Sequence, residues 1–299
     1  MQLLVYFAIV LSVYSYRILH SENLRLSKIC GSLQYKRAHY KSFGGRKVRK
    51  DEYPWLVILK YKYENGNKFI CSGALISRRH IVTAGHCVTA QTPRDKTQCN
   101  KRKEDRKYDR DVLRRKSLWF IYVRRCSFGR GCKTELRTPG KIILHPDWDD
   151  CDDSNDFAII ELERDLPKDE AFPICLPRKN VVLRASMKAA GAGLDSSLLH
   201  DQYSKGLQVI STNVVNENPN SSEIETNSRT ASLCAGDSGG PLFHLEGSRA
   251  VLMGVAVTIK PSCSKANPER ISENYFTDVR THIQFICHKT GVCPVYKRT

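Results

Sequence analysis

The sequence predicts an all-β domain, a sandwich or a barrel, and three observations carry that prediction. Short β-type segments recur along the chain with turn residues between them, only the tail shows a helical period, and 299 residues suffice for one large all-β domain or two smaller ones. The first strand-like run is Pro54-Trp55-Leu56-Val57-Ile58-Leu59. Further such segments are Phe69 to Ile76, His80 to Thr83, Leu118 to Val123, Lys141 to Leu144, Ala158 to Leu162, Leu207 to Val215 and Ala250 to Ile259. In the tail, from Asp278 to Ile286, the residues Val279, Ile283 and Ile286 recur at helical spacing and form one apolar stripe. Residues 16–41 are polar, basic and poorly periodic, and read as a pro-segment rather than a core element.

Twelve cysteines point to oxidised pairs in a secreted, extracellular product, because a cytosolic chain keeps its thiols reduced. Residues 1–15 agree with this: a nearly uncharged apolar run ends in Val13-Tyr14-Ser15, with small residues at positions −3 and −1 of a leader cleavage site after Ser15. No later segment has the roughly 18 apolar residues a membrane helix requires, so no membrane partner is expected. The net charge of +17 is concentrated in a basic insertion near 95–135, where Lys101 to Lys116 holds nine Lys/Arg against four acids. An acidic glycan or protein is a candidate partner for that loop, or it is simply a solvated loop. Nucleic acid is disfavoured, since Tyr108 is the run's one aromatic. The nine histidines are scattered and lack zinc-type spacing with cysteine, so no metal or cofactor is called for. Asn220-Ser221-Ser222 is an N-glycosylation sequon.

The chemistry concentrates in Gly236-Asp237-Ser238-Gly239-Gly240-Pro241. A serine among three glycines is costly in a strand or helix unless bare backbone must approach another molecule. A tight turn here aims the amides of Gly236 and Ser238 at one point, where negative charge develops on a carbonyl oxygen during acyl transfer. A hydroxyl needs a base, and a histidine base needs a carboxylate to fix its tautomer. Thr83-Ala84-Gly85-His86-Cys87, at the end of a buried-looking strand, supplies the base, and Asn155-Asp156-Phe157, entering another strand, supplies the acid.

With Pro54-Trp55, His145-Pro146 and Ile174-Cys175-Leu176-Pro177, these motifs resemble the chymotrypsin/trypsin-type serine peptidases. The basic insertion and unusual cysteines are most similar to a divergent, nematode-type branch of them. The resemblance implies two packed six-stranded Greek-key β-barrels with a C-terminal helix, a cleft between them, and a catalytic set of His86, Asp156 and Ser238. It implies bridges Cys71–Cys87, Cys234–Cys263 and Cys30–Cys175, the last tethering a cleaved pro-segment; Cys287 and Cys293 are close enough for a local ring. Cys99, Cys126, Cys132 and Cys151 allow three connectivities, of which Cys126–Cys132 with Cys99–Cys151 is favoured. Activation by another protease after Lys41 would free the amine of Ser42 to pair with Asp237. Family members usually begin with Ile or Val there, and a serine forgoes roughly 1.5 to 3 kcal/mol of apolar burial. The substrate pocket falls on Ser232, Val257 and Ile259: no acid stands at the Ser232 floor, and Ile259 adds bulk at the mouth, so small or medium apolar side chains are expected. Intact His86, Asp156 and Ser238 favour a zymogen-derived endopeptidase cutting protein or peptide substrates. Ser42, Val257 and Ile259 favour the alternative, a non-catalytic peptidase-like protein that binds through its basic loop.

Overall fold

The computed structural model describes residues 16–33, 46–49, 52–90, 96–106, 112–123, 135–169, 171–178, 180–194, 207–218, 222–229, 231–260 and 271–295. The leader, Lys41, Ser42, Cys126, Cys132, Asn220, Cys263 and much of the basic insertion lie outside them. The described strands are β1 (Arg46–Lys47), β2 (Leu56–Lys62), β3 (Lys68–Leu75), β4 (His80–Thr83), β5 (Trp119–Val123), β6 (Glu135–Arg137), β7 (Pro139–Leu144), β8 (Ala158–Leu162), β9 (Ser186–Gly191), β10 (Gln208–Asn218), β11 (Glu223–Ser228), β12 (Pro241–Glu246), β13 (Arg249–Lys260) and β14 (Ser272–Asp278). The described α-helices are α1 (His20–Ile29), the single turn α2 (Lys96–Cys99) and α3 (Val279–Thr290).

The chain is all-β with a C-terminal helix, built on two antiparallel sheets. The second sheet is a closed six-stranded barrel: β9 and β10 pair with each other and complete the ring β9-β10-β11-β14-β13-β12, to which β1 adds an outer strand. The first, in the order β6-β5-β2-β3-β4-β8-β7, stays open in its hydrogen bonding as half of a barrel. Its two edge strands are successive in the chain with Thr138 between them, so the backbone itself brings the edges together.

The apolar run 54–59 becomes the turn before β2 and its first residues, and Leu56 to Leu59 are all buried because this strand has protein on both faces. Trp55 is fully buried and meets Phe243 of β12 edge-on at 5.8 Å, while Tyr53 meets the same ring at 5.0 Å. This aromatic triangle glues the two sheets together at their seam. The tail helix starts where the Asp278 carboxylate accepts the Arg280 N–H at 2.8 Å. It ends at Gly291, whose φ of +75° supplies the left-handed cap.

The expectation that residues 16–41 supply no core element does not hold for their described part. Residues 20–29 form α1, and Ile18, Leu26 and Cys30 belong to the main hydrophobic core. A polar sequence can dock in this way because its polar groups find partners. Asn23 is buried and exchanges hydrogen bonds with the backbone of Cys293, at 3.0 and 3.1 Å. Arg249 donates to the carbonyls of Ser27 and Lys28 at the helix's carboxyl end. Disulfides join Cys30 to Cys175, Cys71 to Cys87, Cys99 to Cys151 and Cys287 to Cys293. Cys234 is also disulfide-bonded, and its expected partner Cys263 lies outside the described residues. No described helix is long and apolar enough to cross a membrane.

Candidate active site

His86 sits in a single 3-10 turn, Gly85–Cys87, directly after β4, and the Cys71–Cys87 disulfide pins that turn to β3. Asp156 precedes β8 and is 1% exposed. One of its oxygens accepts the His86 backbone N–H at 2.8 Å, and the other lies 2.6 Å from His86 Nδ1. Gly85 permits this approach: a Cβ there would stand 2.9 Å from the Asp156 carboxylate. Thr277 of β14 donates to the Asp156 carbonyl at 3.0 Å, so both barrels hold the acid. Val257 supplies no side-chain hydroxyl, as expected. Burial pushes the His86 imidazolium toward losing its proton, but the charge and hydrogen bond of Asp156 outweigh it, with Asp153 and Asp150 adding, and the pKa is raised overall. With Nδ1 committed to the carboxylate, Nε2 is the remaining ring nitrogen, and it lies 3.7 Å from Cys87 Sγ.

The Gly236 loop consists of two successive turns. Asp237 N–H donates to Cys234 O and Gly240 N–H donates to Asp237 O, each at 2.9 Å. Gly236 and Gly239 occupy their third positions with φ of +100° and +79°, which a side chain would strain. Among the described residues, neither the Gly236 nor the Ser238 N–H donates a hydrogen bond, while the Asp237 and Gly239 amides between and after them do. The half-buried Ser238 accepts the Ser72 N–H on its carbonyl at 2.7 Å, and a Cβ on Gly239 would collide with Thr83 Oγ1 and Ser72 O. The loop thus lies on the end of β4, just ahead of His86.

Ser72 was not among the residues the sequence singles out. Its fully buried hydroxyl donates to Gly236 O and accepts the Ala192 N–H, both at 2.9 Å, and its carbonyl accepts Thr83 Oγ1 at 2.8 Å. The run Cys71-Ser72-Gly73 inside an apolar strand was the available signal, since small residues in a strand mark close backbone approach.

Asp237 is buried against Gly191 and Gly193. Its carboxylate accepts the Gly193 N–H at 2.7 Å and the Cys234 N–H at 2.8 Å, and no described cation pairs with it. Burial, only partly offset by those two bonds, raises its pKa to about 6.

At the expected pocket, Ser232 is half-buried and donates to the Leu233 carbonyl at 2.8 Å. Ile259 on β13 stands opposite Asn274 on β14. Asn274, a second residue the sequence did not flag, is fully buried; it accepts the Leu233 N–H at 3.4 Å, and its Nδ2 has no partner among the described residues.

Several described cations of the basic insertion are engaged within the chain. Arg106 pairs with Asp149 at 2.7 Å and Lys103 with Asp152 at 3.1 Å, next to the Cys99–Cys151 bridge, and Arg115 pairs with Glu64. Cys71, His86 and Cys87 are close enough to suggest a metal site, but both sulfurs are spent in a disulfide and offer no thiolate.

A model of the trypsin family matches residues 42–285. The chain belongs to the trypsin family. It is 27% identical over 262 residues to CLIP domain-containing serine protease B4 of Anopheles gambiae, covering 81% of this chain and 68% of that protein. Spaetzle-processing enzyme of Drosophila melanogaster is 27% identical over 240 residues, covering 72% of this chain and 56% of that one. Tissue-type plasminogen activator of Sus scrofa is 23% identical over 253 residues, covering 76% and 41%. The chain spans about half the length of most of these relatives.

An ionised Asp237 without a counter-charge is a burden on the folded chain. The unfolded pKa near 3.8 and folded pKa of about 6 place its cost between those values, growing as pH rises and constant above about 6. The variant Asp237→Asn, which has no carboxylate to ionise, is expected in denaturant melts to lose less stability than wild type between pH 4 and pH 7.5, by a difference on the order of 2 kcal/mol.

Proposed function

We propose that this chain is a serine endopeptidase that hydrolyses peptide bonds in protein substrates and is made as a zymogen. Ser238 Oγ attacks the substrate carbonyl, His86 Nε2 takes its proton and later delivers it to the leaving amine, and Asp156 orients and electrostatically supports the imidazole. The amides of Gly236 and Ser238 receive the oxyanion. One observation carries the reading most directly: a buried carboxylate lies 2.6 Å from His86 Nδ1, and the nearby glycine loop has two amides that donate no hydrogen bond among the described residues. Family membership agrees, and the named serine proteases among its relatives support the reaction class.

Activation follows from Asp237. Cleavage after Lys41 frees the Ser42 ammonium, which enters the site of the buried carboxylate and holds the turn that carries Gly236. Residues 16–33 stay attached through Cys30–Cys175. Ser42 brings no apolar side chain to that site, so the active form is less firmly held than one beginning with Ile or Val.

The pocket is shallow and uncharged. Ile259 narrows its mouth, Asn274 fills space beside Leu233, and Ser232 offers no charge to a basic side chain. Small to medium apolar residues at the cleaved position fit it.

The purified chain, cut after Lys41 and exposed to a fluorophosphonate, should label at Ser238. Labelling should vanish in Ser238→Ala and fall about 10⁴-fold in rate in Asp156→Asn, whose imidazole takes the wrong tautomer. Absence of labelling in the cut chain would favour a non-catalytic binding protein. On labelled material, a peptide library should favour Ala, Val or Leu before the cut, and Ile259→Gly should extend acceptance to larger side chains. A dominant preference for Lys or Arg would overturn the pocket assignment.

A further inference from the structure

We propose that the chain is cut between Ser15 and Tyr16 and that the α-ammonium freed on Tyr16 is held by the Glu161 carboxylate, an ion pair that anchors the amino-terminal segment to the first sheet. In that cut a leader peptidase adds water across the Ser15–Tyr16 amide. Ser15 keeps the new carboxylate and Tyr16 the ammonium.

Two independent observations meet at this residue. The apolar run ending in Val13-Tyr14-Ser15 places small residues at the positions a leader peptidase reads. In the fold, the Tyr16 nitrogen lies 2.9 Å from Glu161 Oε2. Glu161 is 6% exposed on β8, directly opposite His80 of β4, so the two side chains share one face.

The surroundings form a receptor for a first residue. His80 Nε2 is 2.8 Å from the Tyr16 carbonyl, which can only accept, so this nitrogen carries the proton. His80 Nδ1 must then accept from Ser77 Oγ, 2.8 Å away, and that oxygen in turn accepts the N–H groups of Arg79 and His80. The imidazole is fully buried, and burial lowers its pKa to about 4, so it enters as a neutral donor and brings no rival cation to Glu161. The Arg79 guanidinium stands 4.3 Å over the Tyr16 ring and 3.4 Å from Glu161, but it is shared with Asp165 at 3.7 Å. A peptide N–H would offer this buried carboxylate one neutral donor. An ammonium offers a full charge and up to three donors, which is what a buried acid requires.

Beyond Tyr16 the chain is already strapped down. The Ile18 N–H donates to the Thr290 carbonyl at 2.8 Å, Ile18 packs on the Gly291 cap, and α1 leads to the Cys30–Cys175 bridge. Tethering at Cys30 keeps the terminus near its site, so the pair forms at high effective concentration.

The test uses the secreted full chain and reads no catalytic activity. Intact mass should show Tyr16 as the first residue. A variant with one glycine inserted before Tyr16, its new terminus verified by mass, moves the charge away from Glu161. Amide exchange at Ile18 should accelerate roughly tenfold in it, the size expected of one charge-assisted hydrogen bond. Glu161→Gln, nearly isosteric, should produce the same acceleration, and the two changes together should do no more than either alone. A native terminus at another residue, unchanged exchange in the extended chain, or simple addition of the two effects would overturn the proposal.

Discussion

Ser72 ties the two sheets together at the point where the chemistry is gathered. Its hydroxyl joins the Gly236 carbonyl to the Ala192 amide in the second barrel, its N–H holds the Ser238 carbonyl, and its own carbonyl takes Thr83 of β4. All four bonds are buried or nearly so. Each contributes about 1 kcal/mol net, but an orphaned partner would cost about 1 to 3 kcal/mol, so they make the loop's position a property of the whole fold. The glycines at 236 and 239 follow from this constraint, since two turns must reverse the chain within the seam, one of them against bare backbone.

The same seam explains why Asp237 is both costly and useful. Its carboxylate lies against Gly191 and Gly193, a space that only glycines leave open, and accepts two amides without meeting a described cation. A single ammonium arriving there, as proposed for activation, would give the buried charge a partner and offset part of its desolvation cost. Asp156 is held differently: its carboxylate takes the amide and the imidazole of His86, and its backbone carbonyl takes the Thr277 hydroxyl from the second barrel.

What could be read from the sequence divides along physical lines. Strands with apolar inward faces were legible, His80–Thr83 and Ala158–Leu162 to the residue, because burial on both faces demands continuous apolar runs. The strands β1, β6, β9, β11, β12 and β14 were not. In β11 and β14 the buried residues include Thr226, Ser272 and Asn274, and polar residues give no periodic signal even when, like Thr212 and Thr226, they hydrogen-bond each other at 2.8 Å. The helix α1 escaped notice for a similar reason, its buried Asn23 being satisfied by the far end of the chain. At the candidate site, the approach of Asp156 to His86 was legible because a histidine base requires a carboxylate partner. Ser72 and Asn274 were not, because their importance depends on partners such as Gly236, 164 residues away, and Leu233 on a separate loop.

Among the bonds that position the Gly236 loop, those of the Ser72 hydroxyl can be removed without touching the side chains proposed for catalysis or for the pocket. The decisive measurement is the second-order rate of fluorophosphonate reaction with Ser72→Ala, cut after Lys41, beside wild type. The account predicts a loss of at least about tenfold with the native fold retained by circular dichroism, as expected when a nucleophile loop loses its register. An unchanged rate in a correctly folded variant would contradict it.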